Sequence, residues 1–136
     1  QISKLFYERF LRNEDITLFS PHEVPGLYEA FGTEAFDEMY EKYERAYSVP
    51  KTKVNAHTLF MDLLKERAET GRLYIMNIDH CNSHSSFFED TAKISMSNLC
   101  QEITLPTTPL KSPNDRKGEV ALCISLGYSG QRSGHT

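Results

Sequence analysis

The sequence predicts an α/β fold, with helices in the first half of the chain and strands in the second. Apolar residues recur at helical spacing as far as Thr70, whereas short and continuous apolar runs follow Gly71. The composition, 39% hydrophobic and 25% charged residues, is that of a globular chain. The order of the elements does not define a topology.

Three helices are predicted before Gly71. Residues 2–10 carry apolar side chains at the spacing of a short amphipathic helix. Residues 34–47 predict a second helix with a charged outer face, and residues 52–70 predict the longest one. Gly71 stands where a C′ glycine commonly ends a helix.

The other elements are shorter. Residues 17–19 are expected to be extended, and residues 20–31 to be helical with an interruption at Pro25-Gly26. Residues 73–78 predict a buried strand, and residues 102–105 and 119–124 are further strand candidates. Residues 106–117, rich in proline, serine, asparagine and aspartate, predict a loop.

Charge and patterning exclude several classes of function. A net charge of −4 and a pI near 5.7 do not indicate a face for nucleic acid. No apolar run is long enough for a transmembrane helix, and no signal peptide is visible. Three cysteines make no disulfide framework, so free thiols and a cytoplasmic location are expected. Because the first residue is Gln1, we expect a trimmed chain or a fragment.

A first candidate site is the polar cluster Asp79, His80, Cys81 and His84. These residue types can ligate zinc, but adjacent residues of an extended chain point in opposite directions. A polar turn after a buried strand is the favoured interpretation, and a metal-binding module is the weakest of the functional hypotheses.

A second candidate site is Asn98, Cys100 and Glu102. In extended chain these three share one face, with successive alpha carbons roughly 6.6 Å apart, and Leu99 points towards apolar packing. An amide, a thiol and a carboxylate can hold a hydroxyl, exchange a hydrogen atom and accept a proton. A polar strand face in contact with water would show the same pattern.

Cys123 lies in the apolar run of residues 120–124. A cysteine in such a strand is most often a small buried hydrophobe. A redox role requires a second thiol with the beta carbons about 4 Å apart, on Cys100 or on another chain.

Residues 97–103, Ser-Asn-Leu-Cys-Gln-Glu-Ile, resemble the Ser-Asn-Leu-Cys-x-Glu-Ile signature of class I ribonucleotide reductase large subunits. Segments 14–21, 24–28, 66–72, 77–84 and 118–123 are similar to the same family, in the same order. The resemblance predicts a partial catalytic barrel domain over residues 1–123. Residues 124–136 are expected to be an unmatched flexible tail.

The resemblance implies a ten-stranded α/β barrel with a central finger loop, of which this chain is a partial segment. It places Cys100 at the tip of that loop, where its thiyl radical abstracts the 3′ hydrogen of a ribonucleoside diphosphate. Glu102 is then the general base on the 3′ hydroxyl, and Asn98 holds the sugar hydroxyls. Asn98, Cys100 and Glu102 are therefore both the catalytic and the substrate-binding residues, and Cys123 is one of the two reducing thiols. No metal ligand and no catalytic role for Cys81 are implied.

The resemblance also implies partners. No cofactor is expected on this chain itself; a metal-containing small subunit supplies the radical, and thioredoxin or glutaredoxin supplies the reducing equivalents. Nucleic acid and membranes are not expected partners. The nucleotide-binding cone, the effector site, the partner thiol of Cys123 and the tyrosine pair of the radical route lie in segments that this sequence does not contain. Turnover therefore requires the remaining segments of the large subunit.

The change of sequence after Cys123 leaves alternatives open. A split gene, a frameshift or an inserted element would each produce it, and so would a sequencing or assembly artefact. The chain is accordingly either one part of a split reductase, active when assembled, or an inert remnant.

Overall fold

The computed structural model describes residues 1–87, 92–108 and 110–120. Five helices, one 3-10 turn and two strands follow one another in these residues: α1 Lys4–Leu11, β1 Asp15–Phe19, the turn Pro21–Glu23, α2 Leu27–Ala30, α3 Ala35–Arg45, β2 Lys51–Asn55, α4 Ala56–Thr70 and α5 Ile78–Ser83. The helices predicted within residues 2–10, 34–47 and 52–70 are confirmed, and so are the extended residues 17–19. No helix in the described ranges is both long and apolar enough to span a membrane.

The predicted order of helices before strands is wrong. Both strands lie in the first half and form an antiparallel pair, in which Ile16 stands opposite Val54 and Phe19 opposite Lys51. In the described residues after Gly71, no segment belongs to a strand ladder. The described part of the chain is therefore a mixture of helices with a two-stranded open sheet.

The start of the longest helix is four residues later than predicted. Residues 52–55 belong to β2, and α4 begins at Ala56 because Asn55 caps it, its side-chain oxygen accepting the N–H of Thr58 at 3.1 Å. The C′ glycine is confirmed, since Gly71 adopts a left-handed φ of 66°.

The main core lies between these elements. α1 packs against α4, and α2 packs against α3, whose Tyr40 contacts Thr17 and Phe19 of β1. The buried apolar residues that form this core are Ile2, Leu5, Phe6, Ile16, Val24, Leu27, Ala30, Phe36, Tyr40 and Ala56. Burial of ten such side chains is the main force that holds the first half together.

Tyr40 covers the edge of β1 that does not face β2. Its hydroxyl donates to the carbonyl of Thr17 at 2.7 Å and accepts the Thr17 N–H at 2.6 Å. Both backbone groups of a buried strand residue are thereby satisfied without a third strand. Burial raises the pKa of the Tyr40 phenol, so the hydroxyl keeps the proton that it donates.

Arg9 and Glu44 form a paired charge beside this edge. The two guanidinium nitrogens donate to the two carboxylate oxygens at 2.7 and 2.6 Å, and the Thr17 hydroxyl donates to the same carboxylate. Only 10% of the Arg9 side chain and 19% of the Glu44 side chain are exposed. The hydrogen bonds from Arg9 lower the pKa of the Glu44 carboxyl from 4.5 to about 2.

This pair predicts a loss of stability in acid. A carboxyl with a lowered pKa stabilises the fold fully above the unfolded value of 4.5, and the contribution is lost as the pH falls towards 2. We expect Glu44→Gln to lower the free energy of unfolding at neutral pH by roughly 2–3 kcal/mol. The variant should also show a flatter pH profile in urea unfolding between about pH 5 and pH 2. Parallel profiles for the two chains would contradict this prediction.

Residues 73–77 do not form the predicted strand, and Ile78 is already the first residue of α5. A single parallel bridge joins Ile2 and Asn77, in which Ile2 donates to the Met76 carbonyl at 2.8 Å and accepts from Ile78 at 3.2 Å. A ladder requires a partner strand along its whole length, whereas here only Ile2 pairs with this segment. The chain then turns into α5.

The candidate strands further on are corrected as well. Residues 102–105 and 119–120 join no ladder, and residues 121–124 lie outside the described part of the chain. Within the described residues of the segment 106–117, the predicted loop is confirmed. Asp115 organises it by accepting the backbone N–H groups of Lys111 and Lys117 at 2.9 and 2.8 Å, which lowers the pKa of its carboxyl.

Candidate functional site

The segment that carries Cys100 is a tight turn. The N–H of Gln101 donates to the carbonyl of Asn98 at 3.2 Å, and Gln101 has a left-handed φ of 64°. The expectation that residues 98–102 are extended is therefore wrong, and the alternation of faces along a strand does not apply to them. Asparagine readily bonds to nearby backbone, which favours a turn at this position.

Asn98 closes the turn through its backbone N–H and through its side-chain oxygen. Its N–H donates to the carbonyl of Ile103 at 3.2 Å, and its side-chain Oδ1 accepts the N–H of Ile103 at 3.0 Å. The Ser97 hydroxyl donates to the Asn98 carbonyl at 2.9 Å. With Oδ1 engaged by the backbone, the amide nitrogen Nδ2 is the group of this side chain that remains to donate to a ligand.

Cys100 and Glu102 are both exposed on this turn. Leu99 is 90% exposed, so the expectation that it packs against apolar residues is wrong. The physical reason is the turn itself, because its tip projects residues 99 and 100 away from the body of the chain. The thiol of Cys100 and the carboxylate of Glu102 are thus both exposed on one closed loop, with Gln101 between them in sequence.

A cleft of about 450 Å³ adjoins the turn. Its walls combine apolar side chains with a few polar ones: Met96, Ser97, Asn98, Ile103, Leu105, Thr107, Glu119 and Val120. This volume is in the range of small-ligand sites. Of the three predicted site residues, Asn98 lines the cleft, while Cys100 and Glu102 are not among the described residues of its walls.

Residues 79–83 of the polar cluster lie on α5, with His84 as its C-cap, which corrects the expectation of a turn directly after residue 78. Asp79 accepts the N–H of Lys4 at 2.7 Å and so satisfies a backbone donor in the first turn of α1. His80 and His84 are one helical turn apart, with ring centroids separated by 5.6 Å. In the part of the chain that the structure describes, no three His, Cys, Asp or Glu side chains are arranged to hold a metal.

A second cleft, of about 350 Å³, joins α5 to the turn. His80, Cys81 and His84 line one side of it, and Gln101 and Thr104 line another. Burial raises the pKa of the Cys81 thiol, which lowers the fraction of reactive thiolate. Cys81 is accordingly a packing residue, in contrast to the exposed Cys100.

Asn82 is a structural residue that the sequence did not reveal. Its side chain lies buried between α5, Gly32 and Ile94, and connects them by hydrogen bonds. Gly32 is required there, because a Cβ on it would lie 2.5 Å from a carbon of Ile78. The helical spacing of Ile78 and Asn82 was the available signal, and the predicted strand obscured it.

Cys123, the predicted redox thiol, and the tail 124–136 lie outside the described residues. The strand environment proposed for Cys123 therefore stays a prediction.

Comparisons with known proteins place this chain in a family. Residues 1–127 match the family described as the ribonucleotide reductase barrel domain. The ribonucleoside-diphosphate reductase subunit alpha of Haemophilus influenzae is 52% identical over 131 residues, which are 95% of this chain and 17% of that protein.

Two further relatives have similar names. The ribonucleoside-diphosphate reductase 1 subunit alpha of Escherichia coli is 55% identical over 112 residues, 81% of this chain and 15% of that protein. The subunit alpha of Enterobacteria phage T4 is 40% identical over 131 residues, 94% of this chain and 17% of that protein. This chain thus spans about 17% or less of the length of these three relatives. Since the family match covers nearly the whole sequence, the chain belongs to the ribonucleotide reductase barrel-domain family.

Proposed function

We propose that this chain is the part of a ribonucleoside-diphosphate reductase large subunit that carries the radical cysteine. In an assembled enzyme it takes part in the conversion of ribonucleoside diphosphates to deoxyribonucleoside diphosphates. The family match over residues 1–127 and an exposed Cys100 at the tip of a closed turn support this proposal. The ten-stranded barrel, with the turn as its finger loop, is part of the same proposal.

The first step belongs to Cys100. Its thiyl radical takes the 3′ hydrogen atom of the ribose, so that an S–H bond forms and a C–H bond breaks. The radical itself originates on a metal-containing small subunit and reaches this chain through residues of other segments. An exposed thiol on a closed turn suits this role, because the sulfur is both accessible and held by a defined backbone.

Glu102 and Asn98 form hydrogen bonds with the sugar hydroxyls. Glu102 accepts the proton of the 3′ hydroxyl as general base, while the 2′ hydroxyl takes a proton from one of the two reducing thiols and leaves as water. Asn98 donates from Nδ2 to a hydroxyl oxygen, since its Oδ1 is engaged by Ile103. A hydroxyl that accepts from Asn98 keeps its own hydrogen for donation to Glu102, so the two roles are compatible.

The electron pair for the reduction comes from two thiols. Cys123 is one of them, and its partner lies on a segment outside this chain. They become a disulfide as the sugar is reduced, and the hydrogen atom returns from Cys100 to the 3′ carbon, which regenerates the thiyl radical. Thioredoxin or glutaredoxin then reduces the disulfide. The chain alone lacks the second thiol and the radical route, so we expect it to be inactive by itself and to act in the cytoplasm with the remaining segments.

The proposal is tested with a chimera. Residues 1–127 replace the matching segment of the Haemophilus influenzae subunit alpha, which is 52% identical to this chain. With the small subunit, a dithiol reductant and a ribonucleoside diphosphate, we expect multiple turnovers to the deoxyribonucleoside diphosphate. The isolated chain is the matched negative control.

A chimera that folds and binds the small subunit but forms no deoxynucleotide would contradict the proposal. That outcome favours the second hypothesis, an inert remnant of a split or frameshifted gene.

A further inference from the structure

Gln101 has an unusual backbone for its residue type. Among the described residues other than glycine, only Asn13 and Gln101 have positive φ, 53° and 64°. Asparagine adopts this left-handed region readily, whereas glutamine gains no local hydrogen bond that compensates for it. The strained residue directly follows Cys100.

The side chain of Gln101 does not explain the strain. Its Oε1 is buried and has no hydrogen-bond partner among the described residues. The backbone does bond, because the Gln101 N–H donates to Asn98 while Asn98 Oδ1 holds Ile103. The left-handed backbone is therefore what the turn requires at this position, and the amide is not.

We propose that Gln101 is a positioning residue for Cys100, acting through its left-handed backbone rather than through its side chain. This inference rests on the proposed function. Residue 101 reverses the chain between the thiol of Cys100 and the carboxylate of Glu102. An extended backbone at this position would carry Ile103 away from Asn98 and break the two hydrogen bonds between them, and it would move the carboxylate of Glu102 relative to the sulfur of Cys100.

Four substitutions in the chimeric holoenzyme separate backbone from side chain. Gln101→Ala and Gln101→Leu both remove the amide and are unbranched at Cβ. Gln101→Val also removes the amide but is β-branched, and such residues are outliers in the left-handed region. Gln101→Gly removes the side chain and adopts the left-handed region at no steric cost.

We expect kcat of the alanine, leucine and glycine variants to stay within about threefold of the parent, and kcat of the valine variant to fall about tenfold. KM for the ribonucleoside diphosphate should change less than about twofold in the alanine, leucine and glycine variants, which keep Asn98 and Glu102 in place, and should rise in the valine variant, in which Glu102 is displaced from the sugar hydroxyl. A general folding defect would instead lower the thermal midpoint of the valine variant together with its activity. A valine midpoint equal to that of the leucine variant is therefore part of the expected result.

Equal losses in the alanine, leucine and glycine variants would overturn the inference, since they would assign the role to the amide. A valine variant as active as the leucine variant, or one with a lowered midpoint that accounts for its loss, would overturn it as well. These outcomes differ from a failure of the proposed function, in which the unsubstituted chimera itself forms no deoxynucleotide.

Discussion

Replacing Cys100 by serine is expected to reduce deoxynucleotide formation by the chimeric reductase at least about a thousandfold. Serine has nearly the same shape, so the turn and its hydrogen bonds through Asn98 and Gln101 should persist. The O–H bond of serine is much stronger than the S–H bond of cysteine, and a hydroxyl is therefore not converted to a radical by the same route. The measurement is the steady-state rate with saturating ribonucleoside diphosphate.

The matched control is Cys81→Ser. It makes the same atomic change at a cysteine that is half-buried on α5 and whose thiol pKa is raised by burial. We expect this variant to retain activity within about threefold of the parent, with a modest loss of stability from the polar group placed in packing. If Cys100→Ser and Cys81→Ser were equally active, Cys100 would not be the radical residue.

The second large effect is expected at Asn82, which is 5% exposed. Its Nδ2 lies 3.2 Å from the carbonyl oxygen of Gly32, 3.3 Å from that of Ile78 and 3.0 Å from that of Ile94, and its Oδ1 accepts the Ile94 N–H at 2.8 Å. Asn82→Asp replaces the donor by a charged acceptor that faces three carbonyl oxygens. We expect a loss of roughly 3–5 kcal/mol at neutral pH, and a midpoint of thermal unfolding lower by on the order of 10 °C.

The loss should partly recover in acid. Burial and the facing carbonyls disfavour the charged form, so the introduced carboxyl has a raised pKa in the folded chain. A raised carboxyl pKa destabilises the fold above it, and protonation at lower pH restores a donor to one carbonyl.

Asn55→Asp is the matched control for this substitution. It makes the same change at the partly exposed N-cap of α4, where Oδ1 accepts the N–H of Thr58 at 3.1 Å and Nδ2 makes one long hydrogen bond, of 3.3 Å, to Oδ1 of Asn13. Aspartate is an equally good N-cap and interacts favourably with the helix dipole, so we expect a change within about 0.5 kcal/mol. Similar losses at the two positions would show that Asn82 does not connect the segments as described.

Local patterns in the sequence were sufficient for much of the first half. The apolar spacing predicted α1, α3 and most of α4, and Gly71 correctly predicted the end of α4. These features depend on residues within one or two turns of each other, so the sequence contains them directly. The same is true of the family assignment, because the motif around Cys100 and the other matched segments are linear stretches of sequence.

Where the local patterns were ambiguous, the tertiary structure decided which secondary structure a segment adopts. Residues 52–55 fit a helix by spacing, but they pair with β1 and form a strand, although 31 residues lie between β1 and β2. Residues 73–78 fit a buried strand, but only Ile2 pairs with them. A pattern of apolar residues indicates which face is buried and does not indicate whether a partner strand exists.

The candidate site shows the same division. The sequence by itself predicted the candidate residues Asn98, Cys100 and Glu102, and it determined the family of the chain. The tertiary structure decided that they stand on a turn, closed by Asn98 and reversed at Gln101, instead of along an extended strand. The reason is physical: the backbone conformation at Gln101 is set by hydrogen bonds that exist only once Asn98 and Ile103 have come together.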